Sequence, residues 1–216
     1  MWTKRSSLVI LISGNGSNLE AIIDAISKKK INCYIACVIS NKEDALGLKR
    51  AQKANIKTTI LNHTLYNSRE EFEVDLAKEI SLFSPDLIVL AVFMRILGQK
   101  FVRQFSEKII NIHPSLLPKY PGLNTHEKVI ESGDKNHGVT VHYVNENLDG
   151  GPICAQSILK VTTSDPIELK NKIHQLEYKI YPEVIGWITS GDMTIENNKI
   201  TYKNKPLKNK VIFFQE

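Results

Sequence analysis

Residues 8–26 restrict the fold more than any other part of the chain. Five apolar residues, Leu8, Val9, Ile10, Leu11 and Ile12, run into the polar stretch Ser13-Gly14-Asn15-Gly16-Ser17-Asn18, and Leu19, Ile22, Ile23 and Ile26 then recur at helical spacing. Strand, tight loop and helix in that order make half of a parallel α/β unit. The next apolar run, residues 34–39, follows at the distance a crossover helix requires, and its unbroken hydrophobicity predicts a strand buried on both faces. With Cys33 and Cys37 on that strand, four steps of about 3.3 Å would set them roughly 13 Å apart on one face, beyond disulfide reach.

The remainder supplies more of the same sheet. A short strand at 58–61 precedes a helix whose start is marked by Ser68 and Glu71 and whose buried stripe is Phe72, Leu76 and Ile80. Residues 87–90 read as a buried strand, 99–105 as a short helix, and 109–113 as a strand stopped by Pro114, which cannot donate to a ladder. A reversing loop with Pro118, Pro121 and Gly122 follows, then a short helix at 126–132. Strands at 139–144 and 153–161 are joined through Asp149-Gly150-Gly151-Pro152, and a long helix at 166–189 turns Leu169, Ile173, Leu176 and Ile180 inward. A hairpin turning at Asn197-Asn198 and a Lys- and Asn-rich connector at 203–210 lead to residues 211–214, an edge strand or a cover on the core. With no internal repeat or low-complexity linker, the expected architecture is one α/β domain. It would hold a Rossmann-like, mostly parallel twisted sheet flanked by helices, with an antiparallel C-terminal portion.

Composition narrows the function classes. At 216 residues and 42% hydrophobic content the chain can bury an ordinary core, and three cysteines, an odd number, favour a reducing compartment. Lys4 and Arg5 before residues 8–12 only faintly imitate a signal peptide, and the longest apolar run, 87–94, is far below the roughly 18 residues that span a bilayer. A cytoplasmic protein without membrane contact is therefore expected. The net charge of +5 suits an anionic partner, and it fits phosphorylated small molecules as well as nucleic acid. Lys28, Lys29 and Lys30 read as a solvated helix end.

Several residues could carry chemistry. The glycine loop suits a phosphate, because small residues let backbone amides approach an anion at a helix N-terminus. It matches neither the dinucleotide fingerprint nor a P-loop, and Ser17 with Glu20 as a simple capping box is an equal alternative. Asn111 and His113 lie two apart on a strand, hence on one face at its end, where open α/β sheets bind ligands. A carboxamide beside an imidazole offers an oxyanion donor next to a proton carrier, the minimum for acyl transfer; a polar pair finishing a strand is the alternative. Asp149, before two glycines, is either part of a turn or a carboxylate aimed at His113. No serine or cysteine sits in a nucleophile setting and no histidine has metal-ligand spacing, so a metal-free, non-covalent mechanism is the simpler expectation.

Taken together, Ser13-Gly14-Asn15-Gly16-Ser17-Asn18, Phe93-Met94-Arg95-Ile96-Leu97, Asn111-Ile112-His113-Pro114-Ser115-Leu116-Leu117-Pro118 and Leu148-Asp149-Gly150-Gly151-Pro152-Ile153 resemble the folate-dependent formyltransferases in order and spacing. The resemblance covers nearly the whole chain. The opening loop, Lys119-Tyr120-Pro121-Gly122 and the short length are similar to the branch acting on glycinamide ribonucleotide. The resemblance implies formyl transfer from 10-formyltetrahydrofolate, a co-substrate, to that amine in purine biosynthesis, without metal, nucleic acid or membrane, by a monomer or homodimer. It places Asn111, His113 and Asp149 in catalysis, Gly16, Ser17 and Asn18 on the substrate phosphate, and Glu177 at the glycinamide end. Arg69, Met94, Arg95, Ile96, Leu97, Asn111 and the loop of Asn145, Glu146, Asn147, Leu148 and Asp149 would line the folate pocket. Residues 1–216 would form one formyltransferase domain: about 1–105 the phosphate-binding half, 106–190 the catalytic and folate half, and 191–216 a hairpin and tail.

The chain departs from the family at Val92, where many relatives have glycine, and at Asn124, where bacterial relatives often have histidine. Family members acting on methionyl-tRNA or hydrolysing the formyl folate carry a further domain, for which no room is expected here. A phosphate-binding module without catalysis would use the glycine loop but not the trio Asn111, His113 and Asp149.

Overall fold

The computed structural model describes residues 5–207 and 211–214. In chain order the elements are β1 (Ser6–Ile12), α1 (Ser17–Ser27), β2 (Cys33–Ser40), α2 (Leu46–Lys53), β3 (Thr58–Ile60), α3 (Arg69–Ser81), β4 (Leu87–Leu90), α4 (Gln99–Gln104), β5 (Ile109–His113), α5 (Thr125–Ser132), β6 (Asn136–Tyr143), β7 (Ile153–Lys160), α6 (Pro166–Ser190), β8 (Met193–Glu196), β9 (Lys199–Tyr202), β10 (Lys205–Pro206) and β11 (Val211–Phe214). Eight strands form one sheet in the order β11-β7-β6-β5-β4-β1-β2-β3. Of these, β6 alone runs antiparallel to its neighbours β5 and β7. The expected antiparallel portion is therefore this insertion of β6 together with the small sheet β10-β9-β8.

Alternation along β1 explains the two-layered core. Leu8, Ile10 and Ile12 face a layer containing Leu19 and Ile22 of α1 and Ile173, Leu176 and Ile180 of α6; Val9 and Leu11 face Phe72, Leu76 and Ile80 of α3. Both faces are covered, as continuous hydrophobicity predicts for parallel strands. The expectation that Cys33 and Cys37 share a face is not met. The β1–β2 register slips between Leu8↔Ile35 and Val9↔Cys37, so one extra residue reverses the parity, and Cys33 joins the first layer while Cys37 joins the second. All three cysteines are buried and unpaired.

One local expectation is also corrected, and one helix is added. α1 is capped by Gly16 at φ 74° with no side-chain cap, so Ser17 and Glu20 form no capping box; Glu20 instead pairs with Arg50. α2 has no signal in the sequence reading, since it carries Gly47 and no capping side chain. Ser68 does cap α3, accepting from the Glu71 amide, and Glu71 accepts from the Asn67 amide in return. Lys28 closes α1 and pairs with Asp24 on the surface. β11 pairs with β7 as an edge strand, while residues 208–210 of the expected connector lie outside the described residues. No helix among the described residues is long and apolar enough to cross a membrane.

Candidate active site

The strand order reverses direction at β1 and β4, and the crevice at such a switch point is the usual ligand site of an open α/β sheet. Ser13, just past β1, stitches this point together. Its hydroxyl donates to Asn41 Oδ1 at 2.6 Å and accepts from the Met94 amide at 2.8 Å, joining the ends of three strands. The glycine loop beside it is held from α2. Arg50 donates to Asn15 O and Oδ1, both at 2.9 Å, and the Gly47 amide bonds Gly14 O at 3.0 Å. A Cβ on Gly16 would lie 2.5 Å from Gly47 Cα, so the two backbones touch because neither has a side chain.

The α1 ladder begins with the Glu20 amide on Gly16 O, so the amides of Ser17, Asn18 and Leu19 are first-turn donors pointing out of the helix. The Asn18 side chain turns inward instead, donating to Glu177 Oε2 at 2.9 Å, with both residues buried. Burial pushes the Glu177 carboxyl up to about 7. Asn18 Oδ1 has no hydrogen-bond partner among the described residues. A cleft of about 1320 Å³ between α1 and α6 has Asn15 and Ser17 at its edge and Lys170 and His174 on its wall.

Asn111, His113 and Asp149 converge. His113 Nε2 lies 2.9 Å from the Tyr120 carbonyl, an acceptor only, so that nitrogen carries a proton. Its Nδ1 is 3.5 Å from Asp149 Oδ2. Asp149 sits at φ 50° in the loop after β6, and its Oδ2 also accepts from the Gly122 amide at 2.9 Å. The loop must return tightly, because a Cβ on Gly151 would fall 1.8 Å from the Tyr143 carbonyl.

A fourth polar side chain, missed in the sequence, completes the centre. His142 lies opposite Asn111 across β5 and β6, donates from Nδ1 to Tyr143 O at 2.8 Å, and thus offers Nε2 as acceptor to Asn111 Nδ2 at 3.3 Å. Desolvation lowers its pKa, which keeps the ring neutral in that role. Next to it runs a buried polar row, His113, Thr140 and Gln156, paired across β5, β6 and β7. Thr140 Oγ1 donates to Ser115 O at 2.6 Å and accepts from the Leu117 amide at 3.1 Å and Gln156 Nε2 at 2.8 Å. The signal was available: polar Thr140 and His142 two apart in a buried strand must face the same polar site.

The remaining sequence candidates lie at the start of α3, in the segment after β4 and in the loop after β6. Arg69 opens α3 with 45% of its side chain exposed; Met94 and Ile96 are exposed, while Leu97 packs on the second core layer. Arg95 Nε is buried with no hydrogen-bond partner among the described residues. Asn145 and Asn147 fold the 145–149 loop on itself, Leu148 is exposed, and Glu146 points away to Arg103 at 2.6 Å. Val92, at φ 62° and half exposed, holds in this chain a left-handed conformation that glycine adopts freely. Asn124, at φ 58°, is the N-cap of α5.

The family described as "Formyl transferase" matches residues 6–185. The chain is 46% identical over 193 residues to the phosphoribosylglycinamide formyltransferase of Escherichia coli (strain K12), covering 89% of this chain and 91% of that protein. It is 45% identical over 201 residues to the protein of the same description in Haemophilus influenzae, covering 93% and 95%. The solved phosphoribosylglycinamide formyltransferase of Coxiella burnetii superimposes with a TM-score of 0.92 at 50% identity, over 97% of this chain and 100% of that one.

Proposed function

The chain belongs to the formyl transferase family, and we propose that it moves the formyl group of 10-formyltetrahydrofolate to the primary amine of glycinamide ribonucleotide. The products are formylglycinamide ribonucleotide and tetrahydrofolate, in purine biosynthesis. The whole chain acts as one domain in the cytoplasm, as a monomer or homodimer, on these two small molecules. One observation carries the reading: Asn111, His113 and Asp149 meet at the carboxyl end of β5, beside β4, whose end leads to the exposed Met94 and Ile96.

The amine attacks the formyl carbon and the carbonyl oxygen becomes an oxyanion. The Asn111 carboxamide has two N–H donors; His142 holds one, which orients the other toward the oxyanion. With the Tyr120 carbonyl fixing the proton on Nε2, Nδ1 is the working nitrogen of His113, and its 3.5 Å separation from Asp149 is looser than a tight charge-assisted bond. His113 and Asp149 then carry the proton lost by the attacking amine to the folate nitrogen as the carbon–nitrogen bond to folate breaks. Gly16 at the N-cap and the first-turn amides of Ser17 and Asn18 take the phosphate, and Glu177 meets the glycinamide end. Arg69, residues 94–97 and the 145–149 loop hold the folate.

Folate absorbance followed with and without glycinamide ribonucleotide tests the reaction: turnover only with the amine is expected, and turnover without it would make the protein a deformylase. Asn111→Ala and Asp149→Asn should each lower turnover by about 10²- to 10³-fold while phosphate-substrate binding persists. A variant with near-normal turnover would remove that residue from the mechanism.

A further inference from the structure

We propose that Glu73 is a positioning residue for the formyl donor, its carboxylate fixing Arg69 and the far end of the 94–98 loop in one arrangement. The proposal rests on the reading that Arg69 and that loop line the folate pocket. Glu73 lies one helical turn after Arg69 on α3 and is only 7% exposed, among the apolar Phe72, Leu76 and Ala77. A carboxylate is costly in such surroundings unless charge and hydrogen bonds compensate it. Two groups do so at one oxygen: the Gly98 amide donates to Oε1 at 2.7 Å, and Arg69 Nε lies 3.6 Å from it.

Gly98 is matched to this contact, since a Cβ there would come 2.7 Å from Oε2 and push the carboxylate out of its present place. The loop is thus pinned at both ends, by Ser13 Oγ on the Met94 amide and by Glu73 on the Gly98 amide, with Arg95, Ile96 and Leu97 strung between. The carboxylate also holds the Nε edge of the Arg69 guanidinium, while Nη2 lies 3.6 Å from the exposed Glu70 Oε1, a loose surface pair that an anionic part of the donor would replace. Nothing in this link reaches the Asn18–Glu177 end of the site, so loosening it should affect one substrate and spare the other.

Steady-state kinetics on Glu73→Ala, Glu73→Gln, Arg69→Ala and the Arg69→Ala/Glu73→Ala double variant test this, alongside melting temperatures and calorimetric titration with tetrahydrofolate. Glu73→Ala should raise the donor KM by about tenfold, the loss of roughly one charge-assisted bond, with the glycinamide ribonucleotide KM within about twofold of wild type. Glu73→Gln still accepts from Gly98 and should show about a threefold rise. The double variant should be no worse than the worse single one, because both act through one arrangement. A raised donor KM in Arg69→Ala with none in Glu73→Ala would overturn the proposal. So would a fall in kcat with both KM values raised and a lower melting temperature, which marks a purely structural role. An unchanged donor KM in Arg69→Ala would instead overturn the folate-pocket reading beneath it.

Discussion

Replacing Thr140 by valine removes one oxygen and keeps the side chain's shape, at a position with no solvent exposure. That oxygen serves three partners: Ser115 O, the Leu117 amide and Gln156 Nε2. Gln156 keeps its bond to Leu117 O at 2.8 Å, so the groups stranded outright are the Leu117 amide and the Ser115 carbonyl. At about 1–3 kcal/mol for each buried group left without a partner, and allowing for relaxation within one network, Thr140→Val should cost about 2–5 kcal/mol. For a domain of this size that is a melting temperature lower by roughly 2–4 °C per kcal/mol. The same loop carries the Tyr120 carbonyl that holds His113 and the Gly122 amide that holds Asp149, so kcat should fall as well. Thr140→Ser keeps the hydroxyl and should recover most of both losses. Urea denaturation and turnover on the two variants decide it: a Thr140→Val protein within about 0.5 kcal/mol of wild type would refute the accounting, because buried, unpaired backbone groups cannot be that cheap.

Two pH dependences follow from burial. His126 and His137 contact each other at 3.0 Å, and desolvation drops their pKa values to about 4 and about 3. An unfolded histidine titrates near 6.5, so from there down to about 4 the unfolded chain binds more protons, and stability present above pH 6.5 should be lost as pH falls through that window. A His126→Asn/His137→Gln protein should show a flatter urea midpoint against pH; an equally steep profile would assign the slope to other groups. At Glu177 the carboxyl pKa is raised from 4.5 to about 7 by burial, so the folded chain binds the extra proton and stability should fall as pH rises from about 4.5 to 7. The carboxylate that would meet the glycinamide end forms above that range, so the glycinamide ribonucleotide KM should rise as pH falls below 7, and Glu177→Gln should abolish that dependence.

The sheet and the catalytic trio were legible because their signals are local. Continuous apolar runs marked β1, β2 and β4, Pro114 marked the end of β5, and the motif around Asn111, His113 and Asp149 carried a family resemblance. What escaped depends on contacts distant in sequence. α2 has little pattern of its own and is held by Gly47 against Gly16 and by Arg50 on Asn15. The slip in β2 adds one residue without altering composition, so parity counting put Cys37 on the wrong face. Ser17 carries a capping signature, yet Gly16, free to take φ 74°, became the cap. His142 and Glu73 act through partners 31 and 25 residues away, which no window of sequence displays.

The contact of Gly16 with Gly47, clamped by Arg50, also bears on how phosphate binds. A free glycine-rich loop would surrender backbone entropy when an anion arrives, about 1–2 kcal/mol for each residue it fixes. Here α2 has already imposed that order during folding, so the amides of Ser17 and Asn18 are in place before any ligand comes. Association is then limited by desolvation and encounter and not by induced ordering. Loosening the clamp, as Arg50→Ala would, should weaken phosphate-substrate affinity from a distance, even though the guanidinium need never touch the anion.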